Sequence, residues 1–138
     1  MIPARPKVVI DTNIFISAMI FKGEANRLVT LWQKGIFHLL MSREVLNEYI
    51  NVLSYPKFRL TDKEITYIIQ VELIPFISPV IVKTNLVVID TDPSDNKFLS
   101  LACDGKADYI VSGDKHLLNL GEFKKIKIVS LKDFLILI

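Results

Sequence analysis

Histidine and cysteine are almost missing from this chain of 138 residues, which has two of the first and one of the second. With Cys103 alone, an internal disulfide is impossible. It falls in an apolar helical pattern beside Leu101 and Ala102, a setting for a packed core thiol rather than a nucleophile. His38 and His116 lie far apart and have no Cys/His partner set, so the ligand spacing of a zinc site is lacking. No apolar run is long enough to span a bilayer, and Met1 to Pro6 lacks the apolar stretch of a signal peptide. The expectation is a cytoplasmic protein with no membrane partner. A strong charge bias is also lacking: 17 Lys and Arg against 15 Asp and Glu give a formal net charge of +2. That is too mild to show nucleic-acid binding by itself. If several acids are confined to one pocket, however, the remaining surface is more basic than the total suggests.

Apolar residues make up 51% of the chain, enough for a full core, and the length favours one domain over residues 1–138. Short β-branched runs alternate with helical periodicity. Lys7 to Ile10, Ile36 to Met41, Asp108 to Val111 and Ile126 to Val129 read as strands, with a further extended region through Val80-Ile81-Val82 and Val87-Val88-Ile89. Glu24 to Lys34 reads as a helix stopped by Gly35, and Arg43 to Leu53 as one capped by Ser42 and ended before Tyr55-Pro56. Thr61-Asp62-Lys63-Glu64 has the capping-box pattern, before a helix that buries Ile65, Ile68, Ile69 and Leu73 and stops at Pro75. Ser94 is placed to cap a helix running to Gly105. Lys115 to Leu118 reads as a short helix, and Leu131 to Leu137 as a terminal helix or apolar tail. The alternation argues for an α/β fold with a parallel sheet covered on both faces.

Several acids stand where an apolar run gives way to a turn or a helix start. Asp11 closes Val8-Val9-Ile10, and Asp114 follows Ile110-Val111-Ser112-Gly113. In open parallel sheets ligands bind beyond the carboxyl ends of the strands. Carboxylates gathered there would form a cluster stable only around a hard cation. Each residue also has a plainer reading. Asp11 and Asp114 are equally suited to cap the helices that follow them. Asp90, Asp92 and Asp95 compete for one role, and spacing does not separate them. Glu48 borders the inward face formed by Val45, Tyr49, Val52 and Leu53, and a glutamate there reads more readily as solvated surface. Gly113 is expected to permit a sharp turn, and Asp108, at a strand start, belongs to the opposite edge of the sheet. Asp11-Thr12-Asn13 lacks the D-x-D pattern of phosphoaspartate chemistry, which counts against a phosphatase.

Four segments, V-V-I-D-T-N, S-R-E-V-L-N-E-Y, D-P-S-D-N-K-F-L-S-L-A and A-D-Y-I-V-S-G-D-K-H-L-L, together resemble a PIN domain, in the expected order and over nearly the whole chain. The resemblance is closest to small prokaryotic PIN proteins described as toxins of toxin–antitoxin pairs, the VapC-like ribonucleases. It implies a three-layer fold, a five-stranded parallel sheet of order 3-2-1-4-5 between helices. It implies that Asp11, Glu48, Asp95 and Asp114 are the catalytic and metal-ligating acids, which selects Asp95 over Asp90 and Asp92. Asn13 matches a residue supporting the first acid and Ser112 a polar position before the fourth, with Thr12 and Asn96 as further support. Residues Tyr55 to Lys83 carry no motif of the family.

The resemblance also implies an activity: hydrolysis of RNA phosphodiester bonds by an endoribonuclease through a metal-activated water. Mg²⁺ is the expected cofactor, one ion or two about 3.5–4 Å apart, and Mn²⁺ shares its preference for hard oxygen ligands. Lys97, Lys115 and His116 adjoin the acids and are candidate contacts to the RNA substrate. Lys22, Arg27, Lys57 and Arg59 are further candidates that read more readily as solvated surface. An antitoxin protein is the expected partner, and a homodimer is a further expectation, with Leu135 to Ile138 as a candidate contact. The alternative is a non-catalytic RNA- or protein-binding module of the same fold.

Overall fold

The computed structural model describes residues 4–84 and 95–138. The expected strand at Val87 to Ile89, the competing acids Asp90 and Asp92, and the Ser94 cap lie outside them.

Strand β1 (Lys7–Ile10) is central and buried on both faces, as Val8, Val9 and Ile10 require. It pairs in parallel with β2 (His38–Met41) on one side and β4 (Tyr109–Val111) on the other. Beyond β2 lies β3 (Ile77–Pro79); beyond β4 lie β6 (Ile126–Val129) and then β5 (Glu122–Phe123). The sheet therefore has six strands in the order β3-β2-β1-β4-β6-β5.

The five parallel strands follow the expected topology, with β6 in the fifth place. The addition is β5, a short antiparallel edge strand paired with β6. It exists because Lys124 and Lys125 both take positive φ, 48° and 69°, the backbone of a two-residue hairpin turn. The third strand also differs from expectation. It starts at Ile77 rather than Val80 and ends on Pro79, a residue that an edge strand accommodates. The ladder continues one step past it, with Val80 N–H donating to the Met41 carbonyl at 2.8 Å.

Helices cover both faces. They are α1 (Thr12–Ile20), α2 (Arg27–Gln33), α3 (Arg43–Leu53), α4 (Asp62–Tyr67), α5 (Asn96–Asp104), α6 (Lys115–Leu120) and α7 (Leu131–Leu137). Local signals explain most of their ends. Ser42 accepts from Val45 N–H, Thr61 and Glu64 form the full capping box, and Gly35 leaves α2 with φ +70°. The expected helix from Glu24 divides into a 3₁₀ turn, Glu24–Asn26, and α2. After α4 the chain widens into a π-helical turn, Ile68–Leu73, followed by a 3₁₀ turn around Pro75. Ile68, Ile69 and Leu73 are buried as expected, while Ile65 is half-buried. The C-terminal segment is a helix, not a loose tail. Its Phe134 meets the rings of Phe37 and Tyr109 edge-on at 5.5 and 5.9 Å. Cys103 is half-buried rather than fully packed in the core.

The order of the strands positions the site. From β1 the chain moves outward to β2 and β3, then returns to the other side of β1 as β4. Connections above β1 and β4 thus diverge, leaving a crevice at their carboxyl ends. Asp11 and the Ser112-Gly113-Asp114 segment emerge side by side into it, because Ile10 is in register with Val111.

Candidate metal centre at the carboxyl ends of β1 and β4

Asp11 is held through both carboxylate oxygens. Its backbone N–H continues the ladder to the Val111 carbonyl at 3.0 Å. Its side chain caps α1, with Oδ1 accepting from Ile14 N–H at 2.9 Å. Oδ2 accepts from the Ser112 hydroxyl and, at 3.3 Å, from Gly113 N–H. The residue is only 4% exposed. The capping reading and the site reading are therefore both realised: one oxygen caps the helix and the other faces β4. Burial raises the Asp11 pKa above its ordinary 3.8; the Ser112, Ile14 and Gly113 donors pull it down, and the nearby Asp114 charge adds to the rise.

Asp114 joins Asp11 through Ser112, whose Oγ accepts from Asp114 N–H at 2.9 Å while its proton goes to Asp11. Asp114 caps α6, with Oδ1 accepting from His116 N–H at 2.7 Å. The His116 ring is half-buried. Its Nδ1 lies 3.8 Å from the same carboxylate oxygen, too far for a hydrogen bond. Gly113 is exposed and does not adopt positive φ, so the turn here does not depend on glycine's conformational freedom.

Glu48 reaches the crevice from α3, on a helix turned inward by Val45, Tyr49 and Leu53; Val52 is half-buried. One carboxylate oxygen accepts from the Thr12 hydroxyl, on the residue next to Asp11. The other accepts from the Lys97 ammonium at 2.7 Å. Lys97 was expected as an RNA contact; here it is bound to an acid of the site.

Asp95 stands at the N-terminal end of α5 and is 7% exposed. A short connection leads from α5 into β4, and Asp108 at its end accepts from Lys7 N–H at 2.8 Å at the amino edge of the sheet. That places Asp108 opposite the site, as expected. Because α5 ends near that edge, its start, with Asp95 and the buried Asn96, belongs to the carboxyl side. Asn13 is exposed in the first turn of α1. Among the described residues, the donors to Asp11 are Ser112, Ile14 and Gly113 rather than Asn13.

Sequence reasoning missed one participant. Tyr49 reads as a core aromatic, and its ring does stack on Phe15 at 4.0 Å and 6°. Its hydroxyl also donates to the Ile10 carbonyl, immediately before Asp11. The signal was available: a buried tyrosine needs a partner for its O–H. Burial first, then the Asp11 and Glu48 charges, raises the phenol pKa well above 10.0.

Asp11, Asp114 and Glu48 are thus linked around one crevice through Ser112 and Thr12, and Asp95 stands at the start of α5. Among the described residues no three Asp, Glu, His or Cys side chains stand as a ready ligand group. Carboxylates repel at short range, and three of these acids take nearby donors: Ser112 and backbone amides for Asp11, a backbone amide for Asp114, Thr12 and Lys97 for Glu48. In kind, the donor set of carboxylate oxygens fits a hard divalent cation. In position, Glu48 has to turn away from Lys97 to join it.

Strand ends carrying acids at the switch point of a doubly wound sheet define an acid-lined α/β domain. A family model for the PIN domain matches residues 7–116, and the chain belongs to the PIN domain family. PIN domains are generally nucleases that use divalent metal ions. No curated protein matches the chain.

Proposed function

We propose that the protein is a divalent-metal-dependent endoribonuclease and the toxin of a toxin–antitoxin pair, in the manner of VapC-like ribonucleases. The observation that carries the nuclease reading is the Asp11–Ser112–Asp114 linkage, with Glu48 attached to the adjoining Thr12. These contacts bring acids distant in sequence to one crevice at the strand ends. Asp11, Glu48, Asp95 and Asp114 would hold the ion, Mg²⁺ or Mn²⁺. The chemistry supplied by a bound divalent cation is Lewis-acid stabilisation of phosphoryl charge and activation of water for attack on phosphorus.

The chain's own part is position and field. Ser112 and the backbone amides fix the Asp11 carboxylate, and the start of α6 fixes Asp114. Lys115, exposed in the first turn of α6, offers a charge for an RNA phosphate, and His116 stands beside Asp114. The protein needs no side-chain nucleophile.

The toxin role is supported by the resemblance to prokaryotic PIN toxins, and with it go a cytoplasmic location and an antitoxin partner. Among the described residues no helix is long and apolar enough to cross a membrane. A homodimer is part of the same proposal: Ile136 and Leu137 are exposed on α7, whereas Leu135 is buried and outside any such contact. The engagement of Glu48 by Thr12 and Lys97 favours a second reading, a non-catalytic RNA- or protein-binding module.

Purified protein incubated with varied RNAs, with and without Mn²⁺, separates the two. Metal-dependent shortening of RNA that Asp11→Asn and Asp95→Asn both abolish supports the nuclease. RNA affinity retained in chelator, with no shortening under any condition, supports the binding module. Cleavage undiminished in both variants would remove the proposed site.

A further inference from the structure

Lys97 places a fixed positive charge inside the acid-lined crevice. Its ammonium lies 2.7 Å from Glu48, and the two side chains are 24% and 22% exposed. The pair is thus withdrawn from bulk water without being buried. It joins α5 to α3, and Lys97 follows Asp95 by two residues. The second oxygen of Glu48 is taken by Thr12. Both oxygens of this carboxylate therefore already have donors, and one donor is itself a cation.

We propose that Lys97 is the built-in counter-ion of Glu48 and that a divalent cation must displace it before Glu48 becomes a ligand. The inference rests on the metal-dependent nuclease reading and gives Lys97 a positioning role within it. The pair holds Glu48 in one orientation at the rim and keeps its negative charge compensated. A divalent ion entering the crevice meets two obstacles from Lys97: repulsion by the ammonium, and a carboxylate oxygen that the ammonium already engages. Exchange lowers the apparent affinity for the ion. It also releases the ammonium at the edge of the site, where an RNA phosphate would arrive, so one side chain serves an acid before metal entry and an anion after it.

A half-buried lysine–glutamate pair with a purely structural role predicts something different. Losing it would cost little stability and leave metal affinity alone or weaken it. The two accounts are separated by calorimetric titration of the full chain with Mn²⁺ alone, in the absence of RNA. The titration compares the unaltered protein, Lys97→Met, Glu48→Gln and the double variant, with Lys97→Gln as a second neutral replacement.

Lys97→Met and Lys97→Gln are expected to bind Mn²⁺ more tightly, by on the order of tenfold at low ionic strength, with the difference shrinking as salt is added. In the Glu48→Gln background the same lysine replacement should change affinity little. Equal or weaker Mn²⁺ binding by both lysine variants overturns the proposal while leaving the nuclease reading in place. So does a tightening that persists in full without Glu48. Failure of every chain, the unaltered protein included, to bind Mn²⁺ overturns the nuclease reading and this inference with it.

Discussion

Ser112 on the turn after β4 donates its hydroxyl proton to Asp11 at the end of β1, tying together two residues 101 positions apart in sequence. The same oxygen receives the Asp114 amide, so a single buried serine sets the spacing between two acids of the site. It also lowers the proton affinity of Asp11, though not enough to offset burial.

Asp11 therefore costs the fold stability at neutral pH. Its pKa is raised in the folded state, so the folded protein keeps the carboxyl proton to higher pH than the unfolded chain does. Between those two pKa values the folded state binds more protons, and stability falls as pH rises. Asp11→Asn removes that loss. The variant should melt above the parent at pH 7 in metal-free buffer, and the gap should close as pH is taken below 3.8, where both forms of the parent are protonated. Thermal melts across this range decide it. A variant that melts lower than the parent at pH 7 would show that hydrogen bonding to the carboxylate, and not its desolvation, dominates.

Tyr49→Phe tests the support behind Asp11. The change keeps the stack on Phe15 and removes the hydroxyl that satisfies the Ile10 carbonyl. Loss of one buried hydrogen bond should cost about 1–2 kcal/mol in urea unfolding, whereas Tyr49→Ala, which also empties core volume, should cost about 3–5 kcal/mol. The phenol adds a pH effect. Its pKa is raised in the folded state, so the folded protein resists ionisation, and stability falls as pH climbs past 10.0 toward the folded value. Tyr49→Phe should flatten that alkaline decline. An unchanged alkaline limb would assign the decline to other groups.

Thr12→Val separates orientation of Glu48 from its charge. Valine nearly matches threonine in shape but cannot donate to the carboxylate. Under the proposed activity, Mn²⁺-dependent RNA cleavage should fall about tenfold, the equivalent of roughly 1.4 kcal/mol for one lost charge-assisted hydrogen bond. Steady-state cleavage assays read it directly. A drop as complete as that of Asp11→Asn would mean Thr12 does more than orient Glu48.

What the sequence made legible was the set of positions governed by local rules. Asp11 and Asp114 end short apolar runs, and parallel strands present such ends at one edge of the sheet, so their placement follows from pattern alone. Glu48 does not follow. A glutamate bordering a helix's apolar face looks like surface until α1 brings Thr12 against it, and only the family resemblance selected it. The Lys97–Glu48 pair spans 49 positions and left no trace in local pattern. The edge hairpin was hidden for a different reason: Lys124 and Lys125 adopt positive φ without the Asn or Gly that usually announces such a turn. Strand β3 was obscured by Pro75, which reads as a helix stop just before it, and by its own last residue Pro79, although a proline on an outer strand breaks no ladder.

Two glycines, Gly113 beside the site and Gly105 near the amino edge of the sheet, should respond differently, because space, not backbone freedom, is what distinguishes them. A Cβ added to Gly105, where α5 turns toward β4, would lie 2.7 Å from Leu40 Cδ1, 3.0 Å from the Leu101 carbonyl oxygen and 3.1 Å from Val80 Cγ2. The Leu40 side chain has little room to give, since it is itself buried, and the Leu101 oxygen is fixed helix backbone. Gly105→Ala should therefore destabilise by about 1–3 kcal/mol, as overpacking does. A Cβ on Gly113, between Ser112 and Asp114, meets only Ile14 Cδ1 at 3.8 Å, an ordinary contact, and its backbone does not take positive φ. Gly113→Ala should stay within about 0.5 kcal/mol of the parent in urea unfolding. That result is informative because the S-G-D segment suggests a glycine needed for a sharp turn. If Gly113→Ala proved as damaging as Gly105→Ala, the turn between Ser112 and Asp114 would require a conformation that alanine resists, and the spacing of the two acids would depend on the glycine as well as on Ser112.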